Sequence, residues 1–213
     1  MIFPPFLGKL ILRSMKGAVL DIGTGDGFKL AHLLSRVPAG AVGSVTAADP
    51  SPLVRQARQR LGPFDAVVLH DDWRGLAAGA RKKNKRYDVI LAFEVLEHMT
   101  GQDEFLAAVG RMLSPSGVFI CSTPNRPVYR FLCRLIGERP DPTHVAELDE
   151  KGFRKLIGLR FESRRFLGFF PFMKLFRKLP FLDIVNRIFP FLFWSRTMYA
   201  FCSKPVPAGG RRG

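Results

Sequence analysis

The sequence is short of several things, and each shortage narrows what the protein can be. It has 3 cysteines in 213 residues. Cys121, Cys133 and Cys202 show no C-x-x-C spacing and no accompanying histidine pattern. That excludes a disulfide framework and a structural zinc site, and it fits a reducing cytoplasm. Tyrosine and tryptophan are scarce, 3 and 2 residues against 20 phenylalanines. Phenylalanine has no polar handle, so the aromatic content is not that of a hydrogen-bonding interface. Long apolar runs are missing as well. The greasiest stretches near the C-terminus, 166–173 and 188–195, are 8 residues long, where a spanning helix needs ~20. The opening MIFPPFLGKLILRSMKG is interrupted by Lys9 and followed by no small-residue cleavage site, so it does not read as a signal peptide.

Acids are the last shortage. Asp and Glu number 18 against 33 Lys and Arg, a net charge of +15. The excess is uneven. Residues 151–213 hold 14 basic and 2 acidic residues, a net +12, together with 12 of the 20 phenylalanines. A basic end calls for an anionic partner, either nucleic acid or an anionic membrane surface. The hydrophobic content of 47% is that of a folded chain, and the length suits one sizeable domain.

Strand-like and helix-like patterns alternate along the body. Strands are expected over 18–22, 44–48, 66–70, 87–93 and 117–122. Helices are expected over 28–37, 52–61 and 103–113, with a basic loop, RKKNKR, before the fourth strand. A further helix around 149–157 and strands over 160–167 and 197–203 follow. This alternation predicts an α/β fold with a mostly parallel sheet covered on both faces. Such sheets bind ligands beyond the carboxyl ends of their strands. The unusual residues cluster at those ends, over 21–27, 49–51, 71–73, 93–98 and 123–126.

The first strand runs into Asp21-Ile22-Gly23-Thr24-Gly25-Asp26-Gly27. Glycines at alternate positions let the backbone turn sharply and approach a ligand. The G-x-G-x-x-G dinucleotide signature fails, because its third glycine would fall at Phe28. No Lys-Ser/Thr pair follows, which excludes a Walker-type loop. Asp21 and Asp26 would repel a pyrophosphate and suit a cationic ligand. Asp49 lies 22 residues past Gly27, near the ~20-residue offset of a ribose-binding acid. His70-Asp71-Asp72-Trp73 closes the third strand, and Phe93-Glu94-Val95-Leu96-Glu97-His98 the fourth.

D-x-G-x-G-x-G at a strand end resembles the class I S-adenosylmethionine (SAM)-dependent methyltransferases, over roughly residues 16–159. EVLEH, Leu113-Ser114-Pro115-Ser116-Gly117 and Ser122-Thr123-Pro124-Asn125-Arg126 are similar to the quinone-ring O-methyltransferases of the ubiquinone pathway. Ser116 stands where that group has a glycine. The resemblance implies a Rossmann-like sandwich with a seven-stranded sheet. It implies SAM held by Asp21, Gly23, Thr24, Gly25, Asp26 and Gly27, and by Asp49, Pro50 and Ser51 at the ribose. Asp71, or else Asp72, would accept from the adenine amino group, with Trp73 covering the ring; Phe93 would also line the cofactor site, and Glu94 would point toward the methyl-transfer region, binding SAM or orienting substrate.

Methyl transfer to a hydroxyl needs a base. Of the four histidines, His144 sits in the loop where substrate would enter and is the first candidate, with His98 second. The bland reading is that His144 and Thr143 merely order the lead-in to the next helix. No Cys, His or carboxylate set shows metal spacing. The N/D-P-P-Y/F motif of base-methylating enzymes and the Pro-Cys of cytosine C5 enzymes are both missing, which argues against a nucleic-acid acceptor.

Residues 168–195 read as a Phe-rich amphipathic insertion divided by Pro171, Pro180 and Pro190, which either caps a substrate pocket or lies on an anionic membrane. The leader, 1–16, has similar character and is expected to join that surface. Residues 17–204 form the main domain and 205–213 a flexible tail. The expected function is methyl transfer from SAM to a small or lipophilic acceptor (quinol, lipid, sugar or natural-product-like), at oxygen. The alternatives are an RNA methyltransferase and a non-catalytic, membrane-associated SAM-fold partner. Nothing in the sequence fixes an oligomeric state.

Overall fold

A computed structural model describes residues 3–168 and 195–206. Seven strands form one sheet: β1 (Gly17–Ile22), β2 (Val42–Ala48), β3 (Val67–Leu69), β4 (Tyr87–Phe93), β5 (Leu113–Pro124), β6 (Phe161–Gly168) and β7 (Thr197–Pro205). Their order is β3-β2-β1-β4-β5-β7-β6. The first five are parallel, and β7 runs antiparallel to both β5 and β6. The central strands are apolar on both faces, as a doubly covered parallel sheet requires. Val89, Leu91 and Phe93 of β4 face one core cluster, and Ile90 and Ala92 the other.

Among the described residues, seven α-helices fill the two outer layers and their connections: α1 (Pro5–Ser14), α2 (Phe28–Leu34), α3 (Val54–Leu61), α4 (Trp73–Lys82), α5 (Gln102–Met112), α6 (Arg126–Ile136) and α7 (Glu150–Arg160). Leu7, Leu30 and Ala57 place α1, α2 and α3 on one face of the sheet. Leu76, Phe105 and Phe153 place α4, α5 and α7 on the other. The chain passes from β3, on one side of β1, to β4 on the other. Their carboxyl ends therefore form a topological switch point, where open α/β sheets leave a crevice.

Three helices correct the sequence reading. The leader is not a surface element. Pro5 fixes the first helical turn of α1, and Phe3, Leu7, Ile11 and Met15 are buried in the core. Each such side chain stabilises the fold by roughly 1.5–3 kcal/mol. Its amphipathic pattern is the same for a core-facing and a membrane-facing helix, and only the neighbouring sheet decides. Helix α4 occupies a stretch whose Gly75 and Gly79 weaken local helix propensity. It absorbs Arg81 and Lys82 of the expected basic loop. Helix α6 begins at Arg126-Pro127 where no helix was expected, and its Phe131, Leu135 and Ile136 are exposed. Pro205 belongs to β7 and Val206 donates to Arg160 O at 2.9 Å, so the first two residues of the expected tail are part of the fold; residues 207–213 lie outside the described residues. All of the 168–195 insertion except Gly168 and Ser195 lies outside the described residues.

Candidate active site at the carboxyl ends of the strands

The glycine loop is held to the second strand from both sides. Gly23 and Thr24 donate backbone N–H groups to Ala48 O at 2.8 and 3.0 Å. Gly23 has φ +71°, and a Cβ there would sit 2.5 Å from Val95 Cγ2. Glycine is required on both counts. Gly25, also at positive φ, faces open space, so the loop offers bare backbone to a ligand.

Asp49 ties the two loops together. One carboxylate oxygen accepts from Gly25 N at 2.7 Å and the other from Ser51 N at 2.8 Å. Each oxygen keeps a lone pair for a further donor. Ser51 Oγ is buried and has no hydrogen-bond partner, the sign of a place built for something else to bind. Asp21, at the end of β1, is almost fully buried. Burial pushes its pKa up to about 7, with Thr24 and the Lys29 charge pulling the other way. A bound cation would favour its ionised form. Pro50, between them, gives its carbonyl to His70 Nε2 at 2.7 Å.

The other expected acids divide. Asp26 turns away to an ion pair with Arg60 and accepts from Phe28 N at 3.0 Å. Asp72 is the N-cap of α4, accepting from Arg74 N and Gly75 N at 2.9 and 3.0 Å. Asp71 lies over Gly75, in space that a Cβ would fill. One of its oxygens accepts from Asp72 N at 2.9 Å. That leaves Asp71 as the better adenine candidate of the two. Trp73 packs edge-on against Phe105 at 5.8 Å, with the Arg74 guanidinium 4.4 Å from its ring. Phe93 packs against Phe3 at 5.3 Å rather than standing free.

Beyond β4 the backbone is strained. Glu94 has φ +59°, a rare conformation for a non-glycine that tends to mark functional turns. Glu94 N donates to Ser122 O at 3.1 Å, and the Ser122 hydroxyl donates to Glu94 Oε1 at 2.7 Å. Glu97 is fully buried. One oxygen accepts from Thr123 Oγ1 at 3.0 Å; the other has no hydrogen-bond partner and lies 4.0 Å from His98 Nε2. Burial first, and then the Glu94 charge, raise its pKa well above the usual carboxylate range.

The two candidate bases meet here. The His98 and His144 rings stand edge-to-face with centroids 4.9 Å apart. Gln102 brings them together, because its side-chain amide donates to both Leu96 O and Ala146 O, at 2.7 and 2.9 Å. His98 Nδ1 lies 3.0 Å from Thr143 Oγ1, which donates to Asp141. His98 Nδ1 is therefore the donor of that pair. His144 Nδ1 lies 3.2 Å from Glu147 Oε1, and Arg130 Nε donates to Glu147 Oε2 at 2.7 Å. Glu147 is nearly buried, and the Tyr129 ring stands 5.2 Å from His144.

Glu147, Gln102 and Tyr129 were not found by sequence reasoning. Glu147 three residues after His144 was the available signal. The sequence showed no metal spacing, yet ligand atoms of Glu97, His98 and His144 lie within 4.8 Å of one another. Those three could share a cation, and only the fold reveals it.

A family model described as a methyltransferase domain matches residues 5–188. The ubiquinone biosynthesis O-methyltransferase of Azorhizobium caulinodans is 38% identical over 177 residues, 72% of this chain and 66% of that protein. Its counterpart from Roseobacter denitrificans is 33% identical over 120 residues, 56% and 46% of the two chains. The chain thus spans between about half and two thirds of the length of these relatives. Among solved structures, a SAM-dependent methyltransferase from Archaeoglobus fulgidus superposes with TM-score 0.62 at 16% identity, covering 93% of each chain. The plantazolicin methyltransferase BpumL, bound to a desmethyl analog and SAH, gives 0.62 at 18% identity over 93% of this chain and 81% of its own. The seven-stranded fold is therefore that of SAM-dependent methyltransferases, and with the family match over most of its length the chain belongs to the methyltransferase-domain family.

Proposed function

We propose that the chain transfers a methyl group from SAM to a hydroxyl oxygen of a small, lipophilic acceptor, with a quinol-type ring as the first choice. The observation that carries this reading is the Asp49 carboxylate joining the glycine loop to the second strand, beside the unpartnered Ser51 hydroxyl. Asp49 and Ser51 would hold the ribose, Asp71 the adenine amino group, and Asp21 with the bare backbone at Gly25 the cationic end. SAM has no phosphate, and this acid-rich loop suits it for that reason. When bound, SAM supplies an electrophilic methyl on a sulfonium.

The protein's own task is to align the acceptor, exclude water and take one proton. His144 fits that task. Glu147 accepts from its Nδ1–H and so leaves the Nε2 lone pair as the basic site. A phenolic O–H would give its proton to Nε2 as the oxygen attacks. His98, tied through Nδ1 to Thr143, orients the neighbouring ring. The named relatives act in ubiquinone biosynthesis as O-methyltransferases, which supports a ring hydroxyl as the acceptor.

A lipophilic acceptor has to be met at or near a bilayer. No helix of the described residues is long and apolar enough to cross a membrane. Helix α6 instead carries exposed Phe131, Leu135 and Ile136 beside Arg130 and Arg134, a composition suited to an anionic membrane surface. We include peripheral docking in the proposal, with α6 and the 168–195 insertion as its contact. The free, buried cysteines fit a cytoplasmic setting.

The deciding assay offers labelled SAM with a demethylated quinol, a membrane-lipid fraction and RNA in parallel. Transfer to the quinol supports the proposal, and transfer to RNA alone would replace it with the alternative. Calorimetry showing no SAM binding would point instead to a non-catalytic scaffold. For the membrane part, co-sedimentation with anionic vesicles should exceed that with neutral ones. Recovery near zero with both would remove it.

A further inference from the structure

The basic segment at residues 81–86 has no part in the methyl-transfer site. Strand β4 separates them: the segment precedes its first residue, Tyr87, and the site follows its last, Phe93. Seven residues at ~3.3 Å each put roughly 20 Å between the two. At this far end a surface cavity of about 520 Å³ lies between α4 and α5. Its walls include Ala77, Ala80 and Ala108, whose small side chains leave the hollow. Among the described residues its lining includes Arg81, Lys85, Arg86 and Arg111, and no acid.

None of these four cations forms an ion pair among the described residues. Lys85 Nζ donates to Thr46 Oγ1 at 3.2 Å and Arg86 Nη1 to Leu113 O at 3.2 Å, both uncharged acceptors. The ion pairs among the described residues that involve arginine use Arg60, Arg74, Arg126, Arg130, Arg154 and Arg160 instead. A smaller cavity of about 180 Å³ shares Arg86 and Arg111 and extends the hollow past Gly110 toward Pro205. Like charges gathered around a concavity repel one another, and an anion seated among them turns that repulsion into attraction. The guanidinium fork matches phosphate oxygens in pairs. The volume lies within the range of ~300–1,000 Å³ typical of small-molecule sites. The alanine wall leaves room for an apolar body behind the charged group.

We propose that this cavity is a second binding site, separate from the methyl-transfer site, for a small molecule carrying a phosphate or diphosphate group, gripped by Arg81, Arg111 and Lys85. A free phosphoester and a lipid headgroup present the same chemistry, and the test distinguishes them. The full-length protein is titrated in calorimetry with inorganic diphosphate and with water-soluble dioctanoyl phosphatidic acid at fixed ionic strength. The same titrations are run on the double variant Arg81→Ala/Arg111→Ala and on Arg111→Glu, with SAM binding measured on each protein.

At least one probe is expected to bind the natural chain and to bind both variants at least tenfold more weakly, while SAM affinity stays the same. Tighter binding of the phosphatidic acid assigns the lipid source, and tighter binding of diphosphate the soluble one. Failure of both probes to bind the natural chain, or equal affinity in natural chain and variants, overturns the site. Unchanged SAM binding would then show that the methyl-transfer proposal stands independently.

Discussion

The two ends of the sheet carry opposite chemistry. Asp21, Asp49, Asp71, Glu94 and Glu97 all stand at or just past the carboxyl ends of β1 to β4. At the amino end of β4, Arg81, Lys85, Arg86 and Arg111 gather around a hollow that no acid lines among the described residues. The acids are engaged: Asp49 bridges two backbone donors, Glu94 is held by Ser122 and Glu97 by Thr123. The cations have neutral partners or none among the described residues. The net charge of +15 therefore says little about any one surface. The end that suits a cationic ligand belongs to a strongly basic protein, and local geometry fixes its field.

Four experiments would break or sharpen this contrast. The largest effect is expected at Asp49. Asp49→Ala removes the acceptor of two backbone hydrogen bonds and the proposed ribose contact. Charge-assisted bonds contribute ~1.5–3 kcal/mol each, so SAM affinity in calorimetry should fall at least about a hundredfold. An affinity within threefold of the natural chain would show that the acidic end does not hold the cofactor.

Next, His144→Ala should lower kcat at least about tenfold while leaving SAM affinity unchanged, in line with the loss of a general base. Glu147→Gln, which keeps the shape and removes the charge, should lower kcat less than His144→Ala does. A His144→Ala enzyme with normal turnover would remove His144 from the mechanism.

The third concerns pH. The Asp21 pKa of about 7 is raised by burial, so the carboxyl is protonated below that value and ionised above it. A cationic ligand favours the ionised form, so affinity should rise with pH through 7 and then level off. About a tenfold gain is expected between pH 6 and 8, and none in Asp21→Asn. The same group acts oppositely on stability. The folded state binds its proton more tightly than the unfolded chain does, so its contribution is greatest at acid pH and is lost as pH rises toward 7. A SAM affinity that is flat with pH in the natural chain would separate Asp21 from the ligand.

The smallest effect belongs to the basic end. Arg81→Ala/Arg111→Ala should leave the rate of methyl transfer within about twofold, because a surface site roughly 20 Å away does not align the reacting atoms. A large loss of rate would mean that the two ends are coupled.

Much of the fold was legible in the chain. The seven strands fall close to the apolar runs that signalled them, and β4 matches at both ends. Parallel strands buried on both faces need continuous apolar runs, which leave a strong local mark. The glycine loop was legible for a similar reason. Gly23 is required by a contact and a positive φ that no other residue tolerates, so the constraint is written in residue type. Helices α1, α4 and α6 were harder to read, because glycine content, proline starts and amphipathic pattern leave more than one outcome open. Carboxylates were the least legible. Asp71 and Asp72 are neighbours of one type, yet one folds over Gly75 while the other caps a helix.

The sequence by itself determined the sheet, the glycine loop and the order of acids along the strand ends, because strand periodicity and backbone conformation act over a few residues. Tertiary structure alone decided which acids face a ligand and that α1 is core. It also decided that Glu97, His98, His144 and Glu147 form one cluster. Those outcomes depend on contacts between distant parts of the chain, such as Phe3 packing on Phe93, Gln102 holding Ala146 and Ser122 holding Glu94. They were settled when burial left each carboxylate to find its own partner.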